Sequence, residues 1–192
     1  MQFLLAVLLA AKIVVPYVEH TEEDVKIVGD IGWLENGHTG KTEDENQQCI
    51  IATMAVVVNR MKSDEKWLHK NGEKTAYGVL MAPGQYATHT KNNVGKTDTP
   101  DWVYKLAEEV LTYGTNVPDY VIYQSMQSKL GTVWKVIGGS EYFATSGGHY
   151  MEGKDIHIET NKQAYIKQCF EEFKKKFCKT IRHSIKKIKI MG

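Results

Sequence analysis

The sequence predicts an α+β fold, predominantly helical, with a small β-sheet and a C-terminal amphipathic helix. Three observations predict it. Apolar residues recur at steps of three and four in stretches bounded by helix start and stop signals. Two short segments, YVIYQSM (120–126) and YFATSGGHYM (142–151), alternate aromatic with polar residues as short strands do. From Asn161 onward, Ile166, Phe170, Phe173, Phe177 and Ile181 form one apolar stripe on a basic background. At 192 residues and 42% hydrophobic composition, the chain is long enough for one sizeable core and too short to suggest a second.

At the N-terminus, residues 1–20 hold an apolar run from Phe3 to Ala11 that is like the hydrophobic region of a secretory signal. No Lys or Arg precedes the run, and Lys12 and Pro16 follow it. A spanning helix needs about 20 uninterrupted apolar residues, so the segment reads either as a core helix or as an export signal. Thr21-Glu22-Glu23-Asp24 is a helix start with capping-box spacing, followed by Val25, Val28 and Ile31 at helical steps. One further step of four reaches Glu35, which therefore shares the apolar face at the helix end. Asn36-Gly37 is a stop signal, and Gly37 to Asn46 reads as a polar loop.

Ile50, Met54, Val57 and Met61 favour a helix over Glu45 to Met61, against the strand preference of Val56-Val57-Val58. Residues Lys70 to Asp98, including GVLMAPGQYATHT, read as a loop that carries function. A helix is expected over Thr99 to Tyr113, with Thr99 as the cap, Pro100 at the first position, Trp102, Leu106, Val110 and Tyr113 on one face, and Gly114 as the stop.

Charge is unevenly spread. Residues 161–192 hold ten Lys/Arg and two acids, whereas residues 1–160 hold fourteen and twenty-one, an acidic body with a basic tail. Three cysteines do not make a secreted disulfide framework. On a helix, Cys169 and Cys178 lie roughly 13 Å apart, beyond disulfide reach. The histidines occupy no HExxH or Cys-x-x-Cys spacing, so no metal and no cofactor is expected. The GKT triplets at Gly40 and Gly95 lack the upstream glycine of a phosphate-binding loop.

The stretch GWLENGHTG places Glu35 beside Trp33 and Leu34, and an apolar neighbourhood favours the neutral form of a carboxyl, as a general acid requires. In order along the chain come WLEN, VVVNR, a GV-x-x-x-PGQYA segment, a helix closed by glycine, and GGHY. Over roughly Val25 to Met151 this set resembles the cell-wall hydrolases of the spore-cortex-lytic type. The resemblance implies a lysozyme-like catalytic domain over residues 21–160 that cuts the glycan strands of peptidoglycan. It implies Glu35 as the catalytic acid, with Gln85, Tyr86 and His149 binding substrate, and it suggests lytic transglycosylation or muramidase chemistry. Where the family usually continues Ala-x-Gly-Glu after the acid, this chain has Asn-Gly-His and a longer loop. Glu43 and Glu45 are therefore alternatives to Glu35, although the run TEDEN suits solvated acids. Asn59-Arg60 reads as a structural pair that closes a helix and pins a loop.

A second reading is a non-catalytic envelope-binding or virion-structural protein of the same fold. Under the first, the protein is a bacterial envelope enzyme or a phage lysin that acts outside the cytoplasm, reached by a signal, a holin-type pore or a particle. The basic helix, residues 161–192, is either a solvated face or a surface for anionic wall polymers or phospholipid head groups. Nucleic acid is not an expected partner, because the tail's aromatic residues lie on the apolar stripe and are not free to stack on bases.

Overall fold

The computed structural model describes residues 16–37, 42–125, 132–138, 140–144, 156 and 158. They belong to one compact unit, Pro16–Glu159. In chain order they form helices α1 (Glu22–Asn36) and α2 (Glu43–Lys62), single 3-10 turns at Lys66–Leu68 and Lys70–Gly72, and helices α3 (Ala76–Met81), α4 (Thr88–Asn93) and α5 (Asp101–Tyr113). Strands β1 (Tyr123–Ser125), β2 (Thr132–Ile137) and β3 (Ser140–Ala144) follow. The architecture is α+β and mostly helical. The apolar N-terminal run, His149 and the basic C-terminal segment read as a helix from the sequence lie outside the described residues.

Helix α1 starts with the predicted capping box: Thr21 Oγ1 accepts from the Asp24 amide at 3.2 Å, and Asp24 Oδ2 accepts from the Thr21 amide at 3.0 Å. Asp24 Oδ1 also takes the Ala76 amide at 2.8 Å, which ties the start of α3 to α1. Ile27, Val28 and Ile31 are buried against α2 and α5. The approach of α5 depends on Gly29, where a Cβ would lie 2.6 Å from Tyr104 Cδ1. The helix ends at Gly37 as expected, but with a right-handed φ of −62°. What needs glycine there is the Trp33 ring, whose Cε3 would lie 2.6 Å from a Cβ.

Helix α2 begins earlier than predicted, because the Thr42 hydroxyl accepts from the Glu45 amide at 3.1 Å and caps it; the polar loop is correspondingly shorter. Its second half, from Cys49 to Met61, is buried nearly all round. Packing of this helix against α1, α3, α5 and the sheet overrides the strand preference of Val56 to Val58.

Two predictions need correction beyond α2. The segment read as a loop over Lys70 to Asp98 contains α3 and α4, six residues each, too short for periodicity to register in the sequence. Thr75 caps α3 by accepting from the Gly78 amide at 3.0 Å. Helix α5 starts at Asp101, with Pro100 at the cap and no side-chain capping bond. Thr99 instead donates to buried Asp30 at 2.7 Å, because a carboxylate taken out of water demands donors more strongly than a helix end that water can reach. The buried face of α5 is Val103, Ala107, Val110 and Leu111, and Trp102 is 44% exposed. Gly114 closes the helix at φ +76°, a left-handed conformation in which an L side chain is strained.

The sheet is antiparallel in the order β1-β3-β2. Tyr142 on β3 faces Gln124 on β1 and Lys135 on β2, with the register of β2 shifting between Val133 and Lys135. Trp134, at that shift, and Tyr142 are fully buried, and the Tyr142 hydroxyl donates to the Cys49 carbonyl of α2 at 3.1 Å. Strand β2, TVWKVI, was not anticipated from the sequence. Glu45 is not simply a solvated acid: its Oε1 accepts from the Gly138 amide at 3.2 Å and ties the first turn of α2 to the β2–β3 turn.

Candidate functional site

Glu35 occupies the last turn of α1 with its side chain partly exposed. Thr90, buried on α4, donates its hydroxyl to Glu35 Oε1 at 2.5 Å. Glu35 Oε2 accepts no hydrogen bond among the described residues, so one carboxyl oxygen is held while the other stays available. The other α1 acids beyond the first two residues are committed to structure. Asp24 joins α1 to α3, and Asp30 accepts from the Gly95 amide, the Thr99 hydroxyl and the Tyr104 hydroxyl, each at 2.7 Å.

Ala82-Pro83-Gly84-Gln85 forms the turn that leads to Thr90. Proline presets the second position, and Gly84, at φ +73°, takes the left-handed conformation of the third. Lys91 Nζ donates to the Ala82 carbonyl at 3.1 Å, tying α4 back to this turn. Gln85 lies partly exposed on it, with only a 3.5 Å contact from its Nε2 to the Pro83 carbonyl.

Tyr86 is buried, and the Arg60 guanidinium carbon lies 5.1 Å from its ring centroid. Burial pushes the Tyr86 phenol above its ordinary range; the cationic Arg60 opposes this and the Glu35 carboxylate adds to it. Tyr86 therefore sits within electrostatic reach of both. The Tyr86 hydroxyl and Arg60 Nη1 are both buried, and the Arg60 side chain is the group that offers the phenol a hydrogen bond, though not one of full geometry.

Asn59 and Arg60 do pin a loop. Asn59 Nδ2 donates to the Pro118 and Val121 carbonyls at 2.8 and 2.9 Å, and Arg60 Nε donates to the Ile122 carbonyl at 2.7 Å. His69 Nε2 in turn donates to the Arg60 carbonyl at 2.8 Å. One residue past Ile122, Tyr123 stacks on exposed Trp67, with centroids 5.8 Å apart and 21° between planes. Burial, helped by the Glu65 carboxylate, pushes the Tyr123 phenol above its ordinary range against the opposing charge of Arg60.

Of the residues singled out in the sequence, Glu35 is tied by Thr90 to the segment that carries Gln85 and Tyr86, whereas His149 lies outside the described residues. Trp33, expected to wall the acid, packs edge-on against Trp102 at 6.2 Å and over Gly37. Glu43 is exposed in the first turn of α2. Thr90 was missed, and no local signal marks it. Arg60 was read only as structural; the available signal was an arginine set between the apolar residues Val58 and Met61 of a long helix run. Among the described residues, no three His, Cys, Asp or Glu side chains come together as a metal site. Comparisons with protein-family models, curated proteins and solved structures find no match to this chain.

Proposed function

We propose that the protein cleaves the glycan strands of peptidoglycan on a lysozyme-like fold, with Glu35 as general acid and Gln85 and Tyr86 contacting the sugars. The observation that supports this reading is the Thr90–Glu35 hydrogen bond, which joins residues 55 positions apart and ties the acid to the helix that follows the PGQYA turn. A protonated Glu35 donates its proton to the bridging oxygen as the glycosidic bond breaks. With Oε1 held by Thr90, Oε2 is the oxygen that carries the proton.

Double displacement needs a second carboxylate, and Asp24 and Asp30 have their oxygens engaged in structural bonds. The resemblance to cell-wall hydrolases of the spore-cortex-lytic type is what favours transglycosylation. The 6-hydroxyl of the cleaved muramyl unit attacks its own anomeric carbon and returns its proton to the Glu35 carboxylate. The product is a 1,6-anhydro end and a regenerated acid.

Turbidity of purified walls tests the reading: the wild type clears them and Glu35→Gln does not. Equal behaviour of the two would point to a non-catalytic envelope or virion protein. Mass spectrometry of the fragments separates the chemistries, since hydrated reducing ends alone indicate a muramidase.

A further inference from the structure

Trp67 is 44% exposed, yet its ring is tied down on one face and at its edge. The Tyr123 ring stacks on it, with centroids 5.8 Å apart, and its indole Nε1 donates to Glu65 Oε2 at 3.1 Å. The 3-10 turn that carries Trp67 is anchored by the next two residues: Leu68 is fully buried, and His69 Nε2 donates to the Arg60 carbonyl at 2.8 Å. Arg60 fixes the second ring as well, because its Nε donates to the carbonyl of Ile122, the residue before Tyr123. Ordering a side chain costs conformational entropy, and a ring left in water does not recover that cost through burial. An exposed ring face ordered in advance is instead what lowers the cost of binding a ligand against it.

We propose that Trp67, Tyr123 and Glu65 form a stacking subsite for one N-acetylated sugar ring of a glycan strand. The identity of that strand rests on the peptidoglycan reading above. A pyranose presents an apolar C–H face, which covers the face of Trp67 turned away from Tyr123, and a rim of hydroxyl and amide N–H donors. Glu65 Oε1 accepts no hydrogen bond among the described residues and is available to that rim; hydrogen bonds to an ionised acceptor are roughly twice as strong as neutral ones. The same carboxylate disfavours the other common stacking ligand, a nucleic-acid base, whose phosphates need a positively charged groove. Of the lysines on this loop, Lys74 is paired with Asp64 at 2.5 Å, Lys70 lies 5.5 Å from the Tyr77 ring centroid, and Lys66 alone is uncommitted, which does not make such a groove.

The test titrates the full chain with the N-acetylglucosamine tetramer, read by tryptophan fluorescence and by the indole N–H resonances, that of Trp67 being the one missing from Trp67→Phe. The tetramer is expected to shift the Trp67 resonance, and Trp67→Ala to weaken binding about tenfold or more, while Trp67→Phe retains most of it. Glu65→Gln keeps an acceptor for the indole but loses the charge, and is expected to weaken binding about threefold. Should Trp67→Ala misfold, the Trp67 resonance of the wild type decides alone. A tetramer that does not bind, that binds Trp67→Ala or Glu65→Gln as it binds wild type, or that leaves the Trp67 resonance in place overturns the subsite, even where walls are cleared in a Glu35-dependent way. Tighter binding of an oligothymidylate than of the tetramer at the same salt overturns it too. Tetramer binding that needs Trp67, in a protein whose wild type and Glu35→Gln act alike on walls, overturns the cleavage reading and leaves the subsite standing.

Discussion

Thr90→Val isolates the contact that assembles the site. Valine has nearly the shape of threonine, and Thr90 is 3% exposed, so the substitution keeps the buried volume and removes one hydroxyl. The lost interaction is a hydrogen bond to a carboxyl group, worth about 1.5–3 kcal/mol when the acceptor is ionised. At 1.36 kcal/mol per factor of ten, complete expression of that loss in the transition state lowers the cleavage rate by about 10- to 150-fold. Stability should change by less than about 1 kcal/mol, because Glu35 is partly exposed and water replaces the lost donor, while valine leaves no polar atom unpaired. The assay is the initial rate of wall clearing beside a thermal melt for wild type, Thr90→Val and Thr90→Ser. Serine retains the hydroxyl and is expected to recover most of the rate. A valine variant within about twofold of wild type, or a loss that serine does not rescue and that tracks the melt, refutes the positioning role.

Asp30→Ala removes the acceptor for three donors, Gly95, Thr99 and Tyr104, and is expected to cost about 3 kcal/mol or more in urea unfolding. A change below about 1 kcal/mol would show that water satisfies those donors. Asp119 provides a pH test: partial burial raises its carboxyl, but hydrogen bonds from Tyr17 and Lys62 and the charge of Lys62 outweigh it and hold the carboxyl below its ordinary range. Its contribution to stability is therefore complete above the unfolded value near 3.9 and is lost as pH falls through the lower folded value. Melting temperatures of Asp119→Asn should fall less steeply than wild type through that acid window; parallel curves contradict the assignment. At the other end, burial first and then the bond to Asp119 push the Tyr17 phenol well above its ordinary range, so that contribution persists below about 10 and disappears as pH climbs through the raised value. Tyr17→Phe should flatten the alkaline limb of the same melting series.

The sequence by itself determined the elements whose signals are local. The Thr21 capping box, the apolar steps of α1 and α2 and the Gly114 stop of α5 all act over a few residues, and each stands where its pattern put it. The place of Glu35 at the end of α1 was legible for the same reason, since the helical steps through Val25, Val28 and Ile31 lead to it. Short elements escaped: α3 and α4 span fewer than two turns, and β2 hides its pairing face behind the shift at Trp134. Capping of α5 was misread because Thr99 had a competing partner, Asp30, 69 positions away, and no local rule weighs a cap against a buried carboxylate. Only tertiary packing decided that Thr90 holds Glu35 and that Arg60 lies over Tyr86. Such contacts depend on how α2 fills the space between α1, the turns and the sheet, and the spacing of residues along the chain carries no record of that.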